Sequence, residues 1–299
     1  MPELPDIVVY VESLRRMLVG KSIENIQLRS PFLVRTFEPD LMDCCGKTIK
    51  RIDHIAKRIY WQLEDDTCLL FHLMIAGRFH WRKVGTKPRS KNDLLAIQFA
   101  FGCLMLTEAS GKKRASLFVL NSADELAAHD RGGLDVVAAS LAEFKERLTQ
   151  ENHTVKRALA DPRLFSGIGN AYSDEILHAA KLSPVTWTSR LDDEQIERLH
   201  RASVEVLQHW IESLRAESLD KFPEKVTAFR KDMAVHGKFG VPCPICSTQV
   251  QRIVYANNEC NYCPTCQNGG RILADRSLSR LLKSDWPRTV QQWEEHFGG

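Results

Sequence analysis

Two Cys-x-x-Cys pairs near the C-terminus constrain the fold of this chain more than any other feature. They read Cys243-Pro-Ile-Cys246 and Cys263-Pro-Thr-Cys266, with 16 residues (247–262) between them. Pairs at this separation are typical of a zinc ribbon, in which each pair holds one side of a tetrahedral ion and the linker forms a hairpin. Four thiolates close the coordination shell. We therefore expect one structural Zn²⁺ without a catalytic role.

Cys260 opens an alternative pairing, Cys260-Asn-Tyr-Cys263. We favour Cys263 with Cys266 because proline follows the first cysteine there, as it does after Cys243. The matched pairs also argue against redox chemistry as the alternative role. The nine cysteines are odd in number and irregularly spaced, which argues against a secreted disulfide framework. Core or incidental thiols are expected at the four other positions, Cys44, Cys45, Cys68 and Cys103.

The composition is that of a soluble globular protein. Of the 299 residues, 43% are hydrophobic and 26% are charged, which excludes disorder and collagen-like repeats. The length suggests about two domains. No apolar run approaches the ~18 residues of a membrane span, and the acidic start MPELPDIVVY lacks the basic region of a signal peptide. We therefore expect a cytoplasmic protein with no membrane partner.

The patterning of the first part predicts a β domain led by a helix. Apolar residues at three- and four-residue steps predict that helix over residues 6–19, with Pro5 in its first turn and Gly20 at its end. Short β-like runs separated by turn signals follow at 22–28, 48–52, 58–63, 68–73, 94–100, 103–106 and 117–120. Together they predict a mostly antiparallel β domain over residues 1–125.

The region 126–222 is predicted to be helical, with helices at 141–150, 155–160, 171–180 and 193–214. Asp161-Pro162 and Ser183-Pro184 break the pattern between helices. A Cys-rich module at 235–270 comes next. Residues 271–299 form an extension with a predicted basic helix at 273–283 and a Trp-containing tail.

Basic residues are clustered, although the net charge is only +3. Residues 78–91 contain six Lys or Arg and no acid. Two further clusters comprise Lys112, Lys113 and Arg114, and Lys47, Lys50, Arg51, Lys57 and Arg58. Such clusters are typical of a phosphate-binding surface, and a solvated basic loop is the alternative interpretation.

A glycine turn lies between two predicted helices, in the run Gly167-Ile-Gly-Asn170-Ala-Tyr-Ser-Asp-Glu175. Its glycines allow a tight turn with exposed backbone N–H groups, and Asn170 is a favourable N-cap for the following helix. A phosphate can dock at such a helix start. An ordinary turn is the alternative interpretation.

The N-terminus offers a candidate nucleophile. Methionine before proline is commonly trimmed, which would leave Pro2 as a secondary amine. An α-amino group has a pKa of about 7.7–8.0, against about 10.4 for lysine, so far more of it is neutral at pH 7. A neutral amine can form a Schiff base with an aldehyde-type carbon, and the adjacent Glu3 can shuttle protons. A plain helix cap is the alternative interpretation.

Five motifs occur in a characteristic order along the chain. They are Pro2-Glu3-Leu4-Pro5-Asp6, Ala56-Lys57-Arg58-Ile59-Tyr60, His72-Leu73-Met74-Ile75-Ala76-Gly77, the glycine turn, and His236-Gly-Lys238-Phe-Gly-Val-Pro-Cys243 with its paired knuckles. In this order they closely resemble the formamidopyrimidine-DNA glycosylase/endonuclease VIII (Fpg/Nei) family, from residue 2 to about residue 268. No single motif is decisive, and the five together are highly specific.

The resemblance implies a bifunctional DNA glycosylase/AP lyase of base-excision repair, which flips a damaged base out of duplex DNA. In the family the N-terminal proline attacks C1′, and the resulting Schiff base nicks the strand by β,δ-elimination. This assigns Pro2 as the nucleophile, Glu3 as the acid/base and Lys57 as a contact to the phosphate near the lesion. Asn170 is implied to bind phosphate, and Glu175 to orient the N-terminal region.

The implied architecture is an α+β multidomain protein. It comprises an N-terminal catalytic β-sandwich (1–125), a helix–two-turn–helix domain (126–222), a zinc finger (235–270) and a C-terminal extension (271–299). DNA is implied to lie in the cleft between domains, with Lys238 as a further DNA-binding residue. We expect a monomer that associates with the bacterial nucleoid through DNA.

Several positions depart from the family pattern. Asp6 replaces the usual glutamate. In the run 72–77, Ile75 stands where the family has a wedge methionine, and Met74 occupies a glycine position. The stretch 107–116, which contains Arg114, lacks the aromatic wedge that follows an arginine in the purine-specific branch. Arg114 is therefore a candidate to enter the void that the flipped base leaves. We therefore expect a reliance on lesions that already weaken the helix, or on single-stranded and bubble DNA.

Two alternatives come from other classes of protein. One is a catalytically silent zinc-finger DNA-binding protein, which has no need of a Pro2-Glu3 start. The other is a structural zinc-ribbon protein that acts through other proteins, which the basic clusters and the glycine turn disfavour. The preferred lesion stays open among oxidised purines, ring-opened purines and oxidised pyrimidines. The missing aromatic wedge argues against a strict 8-oxoguanine enzyme.

Overall fold

The computed structural model describes residues 1–219, 221–224, 226, 230–255 and 258–297. The chain forms two compact units: residues 1–131 with 210–228 make up unit 1, and residues 132–209 with 229–299 make up unit 2. Among the described residues, no helix combines the length and apolar character that crossing a bilayer requires.

Unit 1 begins with helix α1 (Leu4–Leu18), whose apolar face packs on the β core of the unit. Ile7 and Leu14 are fully buried, as their helical spacing predicts. The helix begins two residues before its predicted start. The reason is a capping interaction, in which the Glu3 N–H donates to Asp6 Oδ2 at 3.0 Å.

Two antiparallel four-stranded sheets form most of the rest of unit 1. Their strands are β1 (Asn25–Leu28), β2 (Ile49–Ile55), β3 (Arg58–Leu63), β4 (Cys68–His72), β5 (Gly77–Arg82), β6 (Asp93–Phe99), β7 (Gly102–Glu108) and β8 (Ser116–Leu120). One sheet has the order β1-β6-β7-β5 and the other β2-β3-β4-β8. The ring centres of Phe71 on β4 and Phe79 on β5 lie 5.4 Å apart and join the sheets. The predicted β-sandwich is confirmed, and a short helix α2 (Ala123–Ala127) follows β8.

Strand β5 corrects the interpretation of the basic run 78–91. The first residues of the run form a strand in which Phe79 is buried, Arg78 is half-buried and Arg82 is exposed. The basic residues take the outward positions of the alternating pattern, so this part is structured as well as basic. The rest of the run, 83–91, lies in turns and irregular chain, as a loop would.

Unit 2 is helical before its cysteines. Helices α3 (Leu141–Thr149), α4 (Val155–Ala160), α5 (Asn170–Ala179) and α6 (Asp193–Glu217) lie where helical spacing predicts them. The last part of α6, from residue 210, belongs to unit 1. The hairpin of β9 (Gln251–Tyr255) and β10 (Asn258–Tyr262) follows the first cysteine pair, and the second pair leads into α7 (Pro264–Asn268). A hairpin between the two Cys-x-x-Cys pairs is the arrangement that the cysteine spacing predicts.

The C-terminal extension is folded against this hairpin. The Leu273 N–H donates to the Tyr262 hydroxyl at 2.7 Å, and the Asp275 carboxylate accepts from the Val254 N–H at 2.6 Å. The extension contains helices α8 (Arg276–Leu282) and α9 (Val290–Phe297). Helix α8 falls inside the predicted basic helix, whereas α9 occupies the region for which only a tail is predicted.

Candidate active site and metal centre

The buried start of α1 places two carboxylates near the N-terminal amine. Glu3 is 1% exposed and Asp6 is 0% exposed. Burial lowers the pKa of the Met1 amine, the Glu3 carboxylate opposes that shift, and the positive charge of Lys57 adds to it. Removal of Met1 would leave the Pro2 nitrogen in these surroundings, where burial favours the neutral and nucleophilic form of an amine.

Lys57 belongs to the same cluster. It follows Ala56 in the two-residue turn between β2 and β3, and Ala56 has a left-handed backbone with φ 51°. Burial lowers the pKa of Lys57, and the Glu3 carboxylate opposes the shift. The three residues predicted to be catalytic, Pro2, Glu3 and Lys57, are thereby brought together at one end of the sandwich.

His72 lies next to this cluster and is uncharged. Burial lowers the pKa of His72 to about 4, and the positive charges of Arg58 and Lys57 add to the effect. Arg58 in turn donates to the His129 carbonyl at 2.9 Å. His72 therefore adds no positive charge to this edge of the sheet at neutral pH.

A fixed turn presents Ile75 to solvent. The Gly77 N–H donates to the Leu73 carbonyl at 2.8 Å and closes the turn. Met74 adopts φ 53°, the left-handed conformation that favours glycine. Ile75 is 56% exposed, and its carbonyl accepts from Arg78 Nη1 at 3.2 Å. Ile75 is therefore not a core residue.

Glu108 fixes the base of the loop that carries Arg114. Its carboxylate is 1% exposed and accepts the backbone N–H groups of Arg114 at 2.9 Å and Ala115 at 3.1 Å. The neighbouring Lys113 ammonium binds the Glu108 carbonyl and Asn92 Oδ1. The backbone of Arg114 is therefore held in place, while Lys113 is occupied within the loop.

Helix α5 begins one residue earlier than predicted, and this corrects the role of Asn170. Gly169 is the N-cap, and Asn170 is the first helical residue. The Asn170 side chain donates from Nδ2 to the Glu259 carbonyl of β10 at 2.8 Å instead of capping. Beneath the turn, the Lys156 ammonium binds the Asn170 carbonyl at 2.6 Å and Asp174 Oδ1 at 2.6 Å. The glycine turn is thus fixed from two sides within unit 2.

Glu175 anchors the segment that leads to the first cysteine pair. Its carboxylate accepts the backbone N–H groups of Ala234, Val235 and His236 at 2.8, 2.9 and 2.8 Å. Burial raises the pKa of Glu175, and the three N–H donors act in the opposite direction. The predicted role of Glu175 toward the N-terminal region stays a prediction.

Lys238 lies in the loop before the first cysteine pair and is half-buried. Its ammonium donates to the Lys231 carbonyl at 2.6 Å and closes its own loop. The predicted DNA contact of Lys238 stays a prediction.

Four cysteine sulfurs converge in unit 2. The Sγ atoms of Cys243, Cys246, Cys263 and Cys266 all lie within 4.8 Å of one another. The separations are 3.9 Å for Cys243 with Cys266 and 3.4 Å for Cys246 with Cys263. A tetrahedral ion with Zn–S bonds of ~2.3 Å implies sulfurs about 3.8 Å apart, so the donor set fits such an ion.

Cys260 lies outside this cluster, so the alternative pairing of Cys260 with Cys263 is wrong. It is 1% exposed on β10, and burial raises the pKa of its thiol well above the ordinary value. The nearby Asp174 carboxylate, which forms a hydrogen bond with the thiol, adds to this rise.

Lys156 and Glu108 are supporting residues that sequence reasoning missed. Each is a charged side chain that holds the backbone of a candidate DNA-binding segment. Lys156 lies in α4, 14 residues before Asn170, so no local spacing marks it. For Glu108, a carboxylate directly before a glycine-containing basic loop is the one available signal, and it is weak.

The fold and the site define a class of multidomain α+β protein, with a β-sandwich led by a helix, a helix–two-turn–helix segment and a four-cysteine module. Two family models match the chain: the formamidopyrimidine-DNA glycosylase N-terminal domain over residues 1–116 and the formamidopyrimidine-DNA glycosylase H2TH domain over residues 135–220. The chain belongs to the formamidopyrimidine-DNA glycosylase/endonuclease VIII family.

Relatives and solved structures agree with this assignment. The formamidopyrimidine-DNA glycosylase of Lactococcus lactis subsp. cremoris is 30% identical over 278 residues, which cover 89% of this chain and 99% of the relative. An uncharacterized formamidopyrimidine-DNA glycosylase-like protein of Mycobacterium tuberculosis is 37% identical over 151 residues, or 50% of this chain and 94% of the relative.

Two solved complexes have the same fold. Lactococcus lactis Fpg in complex with DNA containing an abasic site matches with a TM-score of 0.79 at 28% identity, over 89% of this chain and 99% of that chain. MutM in complex with DNA containing carbocyclic 8-oxo-G matches with a TM-score of 0.79 at 27% identity, over 89% of this chain and 100% of that chain.

Proposed function

We propose that this chain excises oxidised bases from damaged DNA and then cleaves the strand, with the Pro2 amine as the nucleophile. As a member of its family, the chain is a DNA glycosylase of base-excision repair. The proposal adds the lyase step and the residues that perform it. The observation that carries it is the cluster of the buried Glu3 with the half-buried Lys57 and N-terminal residue.

In the first steps, the Pro2 nitrogen takes the place of the damaged base on C1′ of the sugar. The neutral Pro2 nitrogen attacks C1′, the bond from C1′ to the base breaks, and the base leaves with the bonding electrons. Glu3 takes up the proton that the nitrogen loses and returns a proton to the ring oxygen as the sugar opens. The product is an iminium that joins C1′ to the Pro2 nitrogen.

The iminium then makes strand cleavage possible, because it acidifies the C2′ proton. Loss of that proton expels the 3′ phosphate, and a second elimination expels the 5′ phosphate. We assign Lys57 to the phosphate near the lesion. A bound phosphate favours the charged form of lysine, so the substrate opposes the shift that burial causes in the pKa of Lys57.

Ile75 and Arg114 are the proposed void-filling residues, and Asn170 and Lys238 the proposed phosphate contacts of unit 2. The exposure of Ile75 at a fixed turn supports its role. An aliphatic side chain stacks over less area than an aromatic ring. We therefore expect a preference for lesions that weaken the duplex and for single-stranded or bubble DNA.

The proposed metal is one structural Zn²⁺ held by the four clustered cysteines, which leave no open coordination position. The proposed domain organisation is a catalytic domain (1–125), a helix–two-turn–helix domain (126–222), a zinc finger (235–270) and an extension (271–299). We propose that the protein acts as a monomer.

Base release from defined substrates tests the proposal. The panel contains duplexes with one oxidised purine, one ring-opened purine or one oxidised pyrimidine, the matching single strands and an undamaged control. Wild-type protein should release at least one damaged base and nick that strand. Glu3→Gln should lower base release about 10²–10⁴-fold yet keep part of the activity on a pre-formed abasic site, which needs no base loss. Tight binding without base release or nicking would identify a silent DNA-binding protein instead.

A further inference from the structure

Helix α5 directs a row of three polar side chains at the metal module. Asn170, Asp174 and His178 are spaced four residues apart and therefore share one face of the helix. Asn170 binds the Glu259 carbonyl of β10, and Asp174 binds the His236 ring at 2.8 Å. The proposed function assigns a phosphate contact to Asn170 at the start of this helix and no role to His178 near its end.

The third member of the row reaches a metal-binding sulfur. His178 is 3% exposed, and its Nε2 lies 3.3 Å from Cys243 Sγ. A cysteine that binds a metal ion is a thiolate and has no proton to give. The hydrogen bond in the metal-bound protein therefore has one possible direction, from the imidazole N–H to the sulfur.

We propose that His178 is a positioning residue of the metal centre, which donates its Nε2–H to the Cys243 thiolate. The bond draws charge from that sulfur and fixes its direction, as outer partners of metal ligands generally do. It also ties the metal site to the helix whose first turn carries Asn170, so one helix connects the metal ligand to the phosphate-binding turn.

Two matched variants separate this role from mere packing. His178→Leu fills the site with an apolar side chain and removes the donor, whereas His178→Gln retains an amide N–H at a similar reach. Full-length proteins are loaded with Co²⁺, whose sulfur-to-metal charge-transfer band reports the electron density on the thiolates. Metal affinity is measured in parallel by chelator competition.

The proposal predicts that His178→Leu moves the charge-transfer band to longer wavelength and weakens metal affinity about 10–100-fold. His178→Gln should restore most of both properties. An unchanged band and affinity in His178→Leu would overturn the proposal. If His178→Leu does not fold, a His178→Gln protein with unaltered metal affinity supports the proposal, and one that has lost the metal overturns it.

The inference rests on the proposed metal site and is independent of glycosylase activity. Wild-type protein that takes up no Co²⁺ would refute the metal site itself, and the role of His178 with it. Normal uptake by wild type, with no effect of His178→Leu, would refute the role of His178 alone.

Discussion

The backbone of Gly77 lies against the carbonyl of Leu73 so closely that a side chain has no room. The Gly77 N–H donates to that oxygen at 2.8 Å, and a Cβ on Gly77 would lie 2.3 Å from it. The turn that these two residues close is the one that presents Ile75. The position of the proposed void-filling side chain therefore depends on a glycine two residues later.

Gly77→Ala should open this turn. We expect a loss of about 1–3 kcal/mol in the free energy of unfolding, as for other overpacked sites, together with reduced excision from duplex DNA. Gly111→Ala is the matched control, because a Cβ there meets nothing within 4 Å. Urea denaturation of both variants measures the difference, and equal midpoints would contradict the geometry of the turn.

Ile75→Ala should change substrate preference more than stability. Ile75 is 56% exposed, so the free energy of unfolding should change by less than about 0.5 kcal/mol. Excision should fall on duplex lesions, where the void must be filled, and much less on the matching single strands. Lys57→Ala, by comparison, should weaken binding to all substrates alike, because phosphate contacts position the DNA without reading it. An equal loss of excision by Ile75→Ala on both substrates would mean that another residue fills the gap.

Lys156→Met should destabilise unit 2 strongly. Lys156 and Asp174 form an ion pair of 2.6 Å with side chains 13% and 0% exposed. Removal of one partner of a buried pair costs about 3–5 kcal/mol. Lys145→Met is the control, since its ion pair with Asp193 has the similar length of 2.7 Å but side chains 48% and 84% exposed; the expected loss is at most about 1 kcal/mol. Thermal unfolding of both proteins checks the contrast, which similar losses would refute.

The same pair gives unit 2 a stabilising contribution that depends on pH. Burial alone would raise the pKa of Asp174, but Lys156 and His236 more than offset this and lower it. A carboxyl group whose pKa is lower in the folded than in the unfolded protein stabilises the fold at pH values above the unfolded pKa of ~3.9. This contribution is lost as the pH falls through the lower pKa of the folded protein. Asp174→Asn should therefore flatten the dependence of unfolding free energy on pH in the acid range.

Loss of the metal should unfold the four-cysteine module. Cys263→Ser should abolish metal uptake and DNA binding together, because a small hairpin module has too little core to fold without its ion. Cys260→Ser should keep its metal, since Cys260 lies outside the cluster. Elemental analysis should find one zinc per chain in wild type and in Cys260→Ser. Metal loss from Cys260→Ser would reverse the assignment of ligands.

Sequence patterning predicts those features whose cause is local. The cluster of four cysteines follows from the spacing within and between two short motifs, and helix α4 follows from apolar periodicity ended by Asp161-Pro162. Sequence patterning does not predict strand β5, because its outward-facing residues are basic and a cluster of charged residues resembles a loop.

Partners distant in the sequence are beyond such reasoning. The sequence predicts that Asn170 caps its helix, yet its side chain binds the Glu259 carbonyl 89 positions away. His178 and Cys243 are separated by 65 positions. Nothing near either residue marks the contact, because burial of a polar group against its partner is decided by tertiary packing.

The covalent adduct between protein and DNA tests the central claim most directly. Borohydride reduces an iminium to a stable amine, so protein incubated with an abasic-site duplex and borohydride should become cross-linked to DNA. Mass spectrometry of the digested adduct should place the DNA on the nitrogen of Pro2, and Lys57→Ala should still form that adduct. A cross-link on a lysine side chain, or none at all in protein shown to begin at Pro2, would contradict the account.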